Sequence, residues 1–310
     1  MVDLAKFAEE NKIIIGACPP EPICTKRLGA SLFVPFVSKN ITKRTDPAAV
    51  FPEVESIFVV GVKGMSIRSE AASMKQPQIR HVSLSSLGTD IDYHLRVKDV
   101  LLKLTNALEH SLSAQDGFNF KSKILIDSPT LDERALAYRA GLGFFGRNGL
   151  ITSPEFGSRF NIGLLLTNID WGVVNGFVQQ LPKALLSSCP TDCKLCMQAC
   201  PTGAIVEGSS LNTSRCASYL TQKKELSPDE EALMGSLLYG CDTCQDVCPL
   251  NSPREKTYVN PQDLIDATDE EIKSKFAHTA MLWQGVDILR RNARIAAQGP
   301  NNLTNPNFFV

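Results

Sequence analysis

The chain of 310 residues has no stretch of about 18 or more uncharged apolar residues, so no membrane-spanning helix is expected. It has no apolar stretch behind a basic N-terminus and begins Met-Val-Asp-Leu, so no secretory leader is expected either. An excess of charge of one sign is missing too. The 32 Lys and Arg against 33 Asp and Glu leave a net charge of -1, so a nucleic-acid partner would have to be held by a local patch. No internal repeat is present beyond two half-motifs of cysteine. Before Cys189 the chain holds only Cys18 and Cys24, which read as ordinary thiols.

What is there is a concentration of cysteine: Cys189, Cys193, Cys196, Cys200, Cys216, Cys241, Cys244 and Cys248, with Cys200 and Cys248 each followed by proline. A [4Fe-4S] cluster needs four thiolates. Bacterial ferredoxins supply them from a close triplet plus a distant Cys-Pro whose sulfur reaches the other cluster. The spacing therefore predicts one cluster on Cys189, Cys193, Cys196 and Cys248, and a second on Cys216, Cys241, Cys244 and Cys200. A disulfide framework suits small secreted domains, and zinc suits isolated CxxC pairs. Neither calls for two Cys-Pro ends in mirrored arrangement. One spacing is irregular, because Cys189 and Cys193 enclose three residues, Pro190, Thr191 and Asp192, where the common run has two. Thiols gathered for iron suit a reducing compartment, and a cytoplasmic location is expected.

Ahead of the cysteines, helices and strands alternate. Ile13–Ala17, Ser56–Val62, Lys123–Ile126 and Asn161–Thr167 are apolar runs of strand length, while Tyr93–Leu108 repeats apolar residues at helical spacing. Leu131–Leu142 reads as a helix stopped by Gly143. The pattern predicts an α/β (α+β) domain over residues 1–184, with Pro182–Pro190 as a boundary. A two-cluster ferredoxin-like module follows over 185–255, then a short C-terminal helical segment over 256–310. Pro249–Pro261 reads as loop, Thr268–Phe276 as an acidic-start helix, Ala280–Ala297 as a longer helix, and the tail from Gly299 as frayed.

Two clusters move single electrons, and the N-terminal domain must supply their destination. In Ile124–Ile151 an acid, Asp127, stands at a strand's end before a proline and a helix, where a side chain can project into a cleft. Gly141, Gly143, Gly146 and Gly149 would let backbone approach a bulky planar ligand. Asp-Ser-Pro before a helix is also good capping chemistry for Asp127, although Ser128 or Asp132 could supply the cap instead.

This stretch resembles the epoxyqueuosine reductase family. The likeness continues through Lys43-Arg-Thr-Asp-Pro47, Asp92-Tyr-His94, Phe156-Gly-Ser158, Cys196-Met-Gln-Ala-Cys-Pro-Thr-Gly-Ala204, Arg215-Cys-Ala-Ser-Tyr-Leu-Thr221, Tyr239-Gly-Cys-Asp-Thr-Cys-Gln-Asp-Val-Cys-Pro-Leu-Asn251 and Leu289-Arg-Arg-Asn-Ala293. It implies a nitroreductase-like domain binding cobalamin in its base-off form, two [4Fe-4S] clusters feeding electrons to cobalt, and removal of the epoxide oxygen of epoxyqueuosine in tRNA. An external low-potential electron donor and a monomeric state come with it. Asp127 matches the family's proton donor, whose pKa should be raised by burial against an apolar corrin face. Arg44 matches a contact to an amide or the phosphate of the cobalamin tail. Ile151, Ile162 and Gly163 match corrin contacts, and Ser218 and Asp242 fall where the two kinds of cofactor meet. His94 opens a helix and reads as structural rather than as a cobalt ligand.

Ser-Leu-Gly-Thr-Asp-Ile precedes Tyr93 where the family shows an arginine, so that Asp90 adds an acid, and Thr279–Gly285 carries no charge where the family often has a basic turn. Lys26, Arg27, Lys39, Lys43, Arg290, Arg291 and Arg294 are the candidates left for a tRNA-binding patch. Three readings follow: epoxyqueuosine reductase; a cobalamin-dependent reductase of another small electrophile, as in reductive dehalogenases; and an electron carrier without cobalamin.

Overall fold

A computed structural model of the chain describes residues 2–24, 36–64, 82–89, 91–113, 118–178, 188–207, 210–254 and 256–298. Lys26, Arg27, Asp90, most of the expected boundary at 182–190 and the tail from Gly299 lie outside them. The chain divides into two compact units. The first comprises Met1–Lys63 and His94–Cys193; the second comprises Gly64–Tyr93 and Lys194–Val310.

The first unit is built on a four-stranded sheet in the order Ile13–Cys18, Ser56–Lys63, Phe160–Thr167, Ser122–Ile126. All its pairings are antiparallel, with Ile13 opposite Val62 and both Ser56 and Ser122 opposite Thr167. The alternation of helix and strand thus yields an α+β layer. Alternate residues of Ser56–Lys63 serve opposite faces. Phe58 and Val60 pack with Val97, Leu101, Leu104 and Leu108 of the helix Tyr93–Leu112. Ile57 and Val59 pack with Leu136 and Ala137 of the helix Glu133–Arg139. Leu101, Leu104 and Leu136 are fully buried, each contributing about 1.5–3 kcal/mol.

In the second unit Val82–Leu84 runs parallel to Leu237–Tyr239 and antiparallel to Thr257–Val259. Its core joins Leu238, Leu264, Ile272, Phe276 and Leu289. The acidic-start helix is Asp269–Phe276, closed by a capping box between Thr268 and Glu271. Two expectations are corrected here. Pro249–Pro261 contains the strand Thr257–Val259, formed by pairing to a distant segment. The single helix expected over Ala280–Ala297 is two, a 3-10 turn Ala280–Gln284 and the helix Val286–Gln298, broken at Gly285, whose φ of 92° no helix allows.

Candidate active site and cluster domain

The strand Ser122–Ile126 ends at Asp127, which turns the chain with φ 46°. Among the described residues only Asp127 and Lys12 are non-glycine residues with positive φ. That conformation costs of order 1 kcal/mol or more and is sustained only where the surroundings fix it. The Asp127 carboxylate is 69% exposed, with His94 Nε2 at 4.0 Å from its Oδ2. It does not cap the following helix. Asp132 does, accepting from the Ala135 amide at 3.1 Å. The capping explanation of Asp127 therefore falls away, and its carboxylate points outward from a strained turn.

The turn is tied down residue by residue. The Ser128 amide donates to Glu133 Oε1 at 2.9 Å, and the Ser38 amide donates to the Pro129 carbonyl at 2.7 Å. Arg44 Nη1 donates to the carbonyls of Thr130 at 3.1 Å and Leu131 at 3.5 Å, while its Nη2 stands 3.6 Å from Asp132. Arg44 is buried, and burial lowers its pKa despite the Asp132 charge. Its Nε is buried without a hydrogen-bond partner, a donor left over for a bound group. Burial also pushes the Glu133 carboxyl up to about 8, the charges of Asp127 and Asp132 adding to the rise while the Ser128 amide and Arg44 oppose it. Sequence reading passed over Glu133, which looks like one more acid in a helix's first turn.

The other expected contacts are placed as follows. Ile151 is buried and Ile162 half-buried in the layer beside Leu136. A side chain at Gly163 would collide with Val97 Cγ1 at 2.3 Å, so this glycine admits the long helix to the sheet. At Gly143 a Cβ would meet the Thr152 carbonyl oxygen at 2.2 Å; there the missing side chain serves the chain's own backbone. Arg147, from the same segment, donates to the Thr191 carbonyl at 2.7 Å and so holds the extra residue between Cys189 and Cys193.

All ten cysteines are free thiols. Cys196 and Cys200 sit on and at the end of the short helix Leu195–Ala199. Cys241, Cys244 and Cys248 bracket a matching helix, Thr243–Asp246. Cys216 has Cys200, Cys241 and Cys244 as electrostatic neighbours, the set expected for the second cluster, and Cys244 also has Cys196, of the other set, beside it. Burial raises the thiols of Cys216, Cys241 and Cys244, and their mutual charge adds to it. At Cys200 burial also raises, but hydrogen bonds from Thr202, Ile205 and Ala204 outweigh it, the Ala204 amide lying 3.3 Å from the sulfur. Buried sulfurs that repel one another and accept backbone amides fit a cationic iron-sulfur core. Among the described residues no three His, Cys, Asp or Glu converge on a single ion. A cluster offers each thiolate its own iron and needs no such convergence.

The two neighbours of these cysteines are themselves braced. Asp242 accepts from the Ser86 amide at 2.7 Å and faces Arg254 at 3.5 Å; burial raises its carboxyl nonetheless. The Ser218 carbonyl receives Thr221 Oγ1 and Gln222 Nε2, both at 2.9 Å. The Leu289–Ala293 motif is explained by Asn292, fully buried, which donates to the carbonyls of Thr221 and Leu238 and so ties its helix to the segments carrying Cys216 and Cys241. Of the basic residues considered for a tRNA patch, Arg290 is held by the Ala267 carbonyl and Asp269, and Arg291 by the carbonyls of Lys223 and Lys224. Among the described residues no helix is long and apolar enough to cross a membrane.

Residues 189–251 match the family model "4Fe-4S double cluster binding domain", and residues 44–128, from Arg44 to one past Asp127, match "Epoxyqueuosine reductase QueG, DUF1730". Epoxyqueuosine reductase of Bacillus subtilis (strain 168) is 33% identical over 276 residues, covering 84% of this chain and 67% of that protein. The chain belongs to the epoxyqueuosine reductase family. Like the family, it is an oxidoreductase, and its fold is the family's mixed α/β fold with a double-cluster domain. A solved epoxyqueuosine reductase with an epoxyqueuosine-modified tRNA-Tyr stem loop superposes with TM-score 0.77 at 30% identity, covering 94% of this chain and 80% of that one. The Bacillus subtilis enzyme, solved with its catalytic aspartate loop swung out of the active site, superposes with TM-score 0.75 at 30% identity and the same coverage.

Proposed function

We propose that this epoxyqueuosine reductase family member reduces epoxyqueuosine in tRNA to queuosine, with base-off cobalamin as the reducing centre and two [4Fe-4S] clusters as its electron supply. Residues 1–184 form the catalytic part, 185–255 the cluster domain and 256–310 a helical segment, in a cytoplasmic monomer served by an external low-potential donor. The observation that carries this reading is Asp127, held outward on a strained turn inside the matched region. Bound cobalamin supplies a strong nucleophile or reductant that no protein side chain can provide.

The residues fit such a group in kind. Arg44 keeps a buried, unpartnered Nε for an amide or phosphate, and half-buried Ile162 offers an apolar contact, while Ile151 and Gly163, both buried, enter only through the resemblance. Ser218 and Asp242 join the proposed contacts through the resemblance. The chain's own chemical task is protonation. Reducing the epoxide to the alkene takes two electrons and two protons and releases water; Asp127 delivers the proton to the alkoxide oxygen and is left as a carboxylate 4.0 Å from His94 Nε2, the second proton coming from solvent.

The test is conversion of an epoxyqueuosine-bearing tRNA stem loop by reconstituted protein with cobalamin and a low-potential reductant, followed by digestion and nucleoside analysis. Queuosine should form with wild type. Asp127→Asn should cut turnover about a hundredfold or more while leaving cobalamin and iron content intact. Failure of the wild type where a verified reductase succeeds removes the tRNA assignment and favours a reductase of another small electrophile, for which the uncharged Thr279–Gly285 turn speaks. Absence of a base-off spectral shift with added cobalamin sinks both cobalamin-dependent readings.

A further inference from the structure

We propose that Glu133 is the positioning residue of the Asp127 turn, its carboxyl holding the Ser128 amide and thereby fixing the direction in which Asp127 presents its acid; this rests on the reading of Asp127 as proton donor. The argument begins with which bond does what. The Ser128 N–H belongs to the peptide plane between Asp127 and Ser128, so an acceptor that fixes that N–H fixes rotation about the Cα–C bond of Asp127. Glu133 Oε1 is that acceptor, at 2.9 Å. Other ties act farther along: Ser128 Oγ accepts from the Thr130 amide at 3.2 Å and pairs with its hydroxyl, Ser38 holds the Pro129 carbonyl, Arg44 the carbonyls of Thr130 and Leu131, and Asp132 the helix it caps. They act on the turn's far side, while Glu133 acts on the peptide that joins Asp127 to Ser128.

The environment suits a latch. The charged groups around Glu133 are Asp127 on the turn, Asp132 beside it and Arg44 from the helix Ile41–Thr45. Burial, helped by Asp127 and Asp132, outweighs the Ser128 amide and the Arg44 guanidinium and favours the neutral acid, whose carbonyl oxygen still accepts the amide. A glutamine should therefore stand in for it. A loop whose catalytic aspartate swings out, as in the Bacillus subtilis structure, requires that some contact open. In this chain the Glu133–Ser128 bond lies on the peptide that such a motion of Asp127 would turn.

Reconstituted wild type, Glu133→Ala and Glu133→Gln are compared by amide hydrogen exchange across 125–131 and by kcat and KM on the modified stem loop. Glu133→Ala should speed exchange and lower kcat, each about tenfold, with KM changed less than about twofold. Glu133→Gln should restore both to within about threefold of wild type. Cobalamin and iron content verify that each variant is folded. Exchange unchanged in Glu133→Ala overturns the latch, and so does Glu133→Gln behaving like Glu133→Ala. If exchange responds as stated while no variant, wild type included, converts the stem loop, the latch stands and the substrate reading is what fails.

Discussion

Cys18 and Cys24 lie six residues apart in the sequence and in opposite surroundings. Cys18 is buried at the end of the strand Ile13–Cys18, and desolvation pushes its thiol up to about 12; Cys24 is exposed. The thiolate is the reactive species. Cluster-loaded protein treated with iodoacetamide at pH 8 should therefore be modified at Cys24 and spared at Cys18, as read by peptide mass spectrometry. Labelling of Cys18 in folded protein would show that its pocket opens. Single residues also mark what a sequence can and cannot disclose. Asp127 was legible because a strand-length apolar run ends on it just before a proline. Glu133 was not, because adjacent acids at a helix start look alike until the turn folds back and sets one of them on the Ser128 amide.

At the scale of elements, the strands of the sheet and the helix Tyr93–Leu112 could be read from period alone, since each hides its apolar residues inside one contiguous segment. Val82–Leu84 could not, because a three-residue strand is specified by partners far along the chain. Asn292 belongs to the same class: its two carbonyl partners come from different segments. Asn292→Ala leaves both unsatisfied in the interior and should cost roughly 2 kcal/mol or more in urea unfolding. A loss below about 0.5 kcal/mol would mean that water replaces the amide. The helix Glu133–Arg139 carries a pH signature. Burial raises the Glu133 carboxyl from 4.5 to about 8, so its contribution to stability is whole below the lower value and is lost as pH rises through the upper. Glu133→Gln lacks that loss. Its melting temperature relative to wild type should climb between pH 5 and 8, whereas a constant difference would mean that Glu133 does not titrate there.

For the whole molecule, the decisive question is how eight thiolates divide between two clusters. The compact units part just after Cys193, so Cys189 and Cys193 belong to the first unit and the other six to the second. The irregular Cys189–Cys193 loop is held at Thr191 by Arg147, also of the first unit, which gives the extra residue a fixed place. Two four-iron clusters require about eight irons per chain. Cys189→Ala should leave about four, and so should Cys200→Ala. The double variants separate the possible groupings. If the Cys-Pro ends cross over, Cys189 and Cys248 serve one cluster and Cys200 serves the other. Cys189→Ala with Cys248→Ala should then still hold about four irons, whereas Cys189→Ala with Cys200→Ala should hold almost none. A pairing in which each run of four successive cysteines binds its own cluster reverses the two results. Cys216 lies within electrostatic reach of Cys200, Cys241 and Cys244, with Cys196 a further neighbour of Cys244, and sulfurs brought that close repel unless iron stands between them. The crossed result is therefore the expected one, and iron analysis of the four variants decides it.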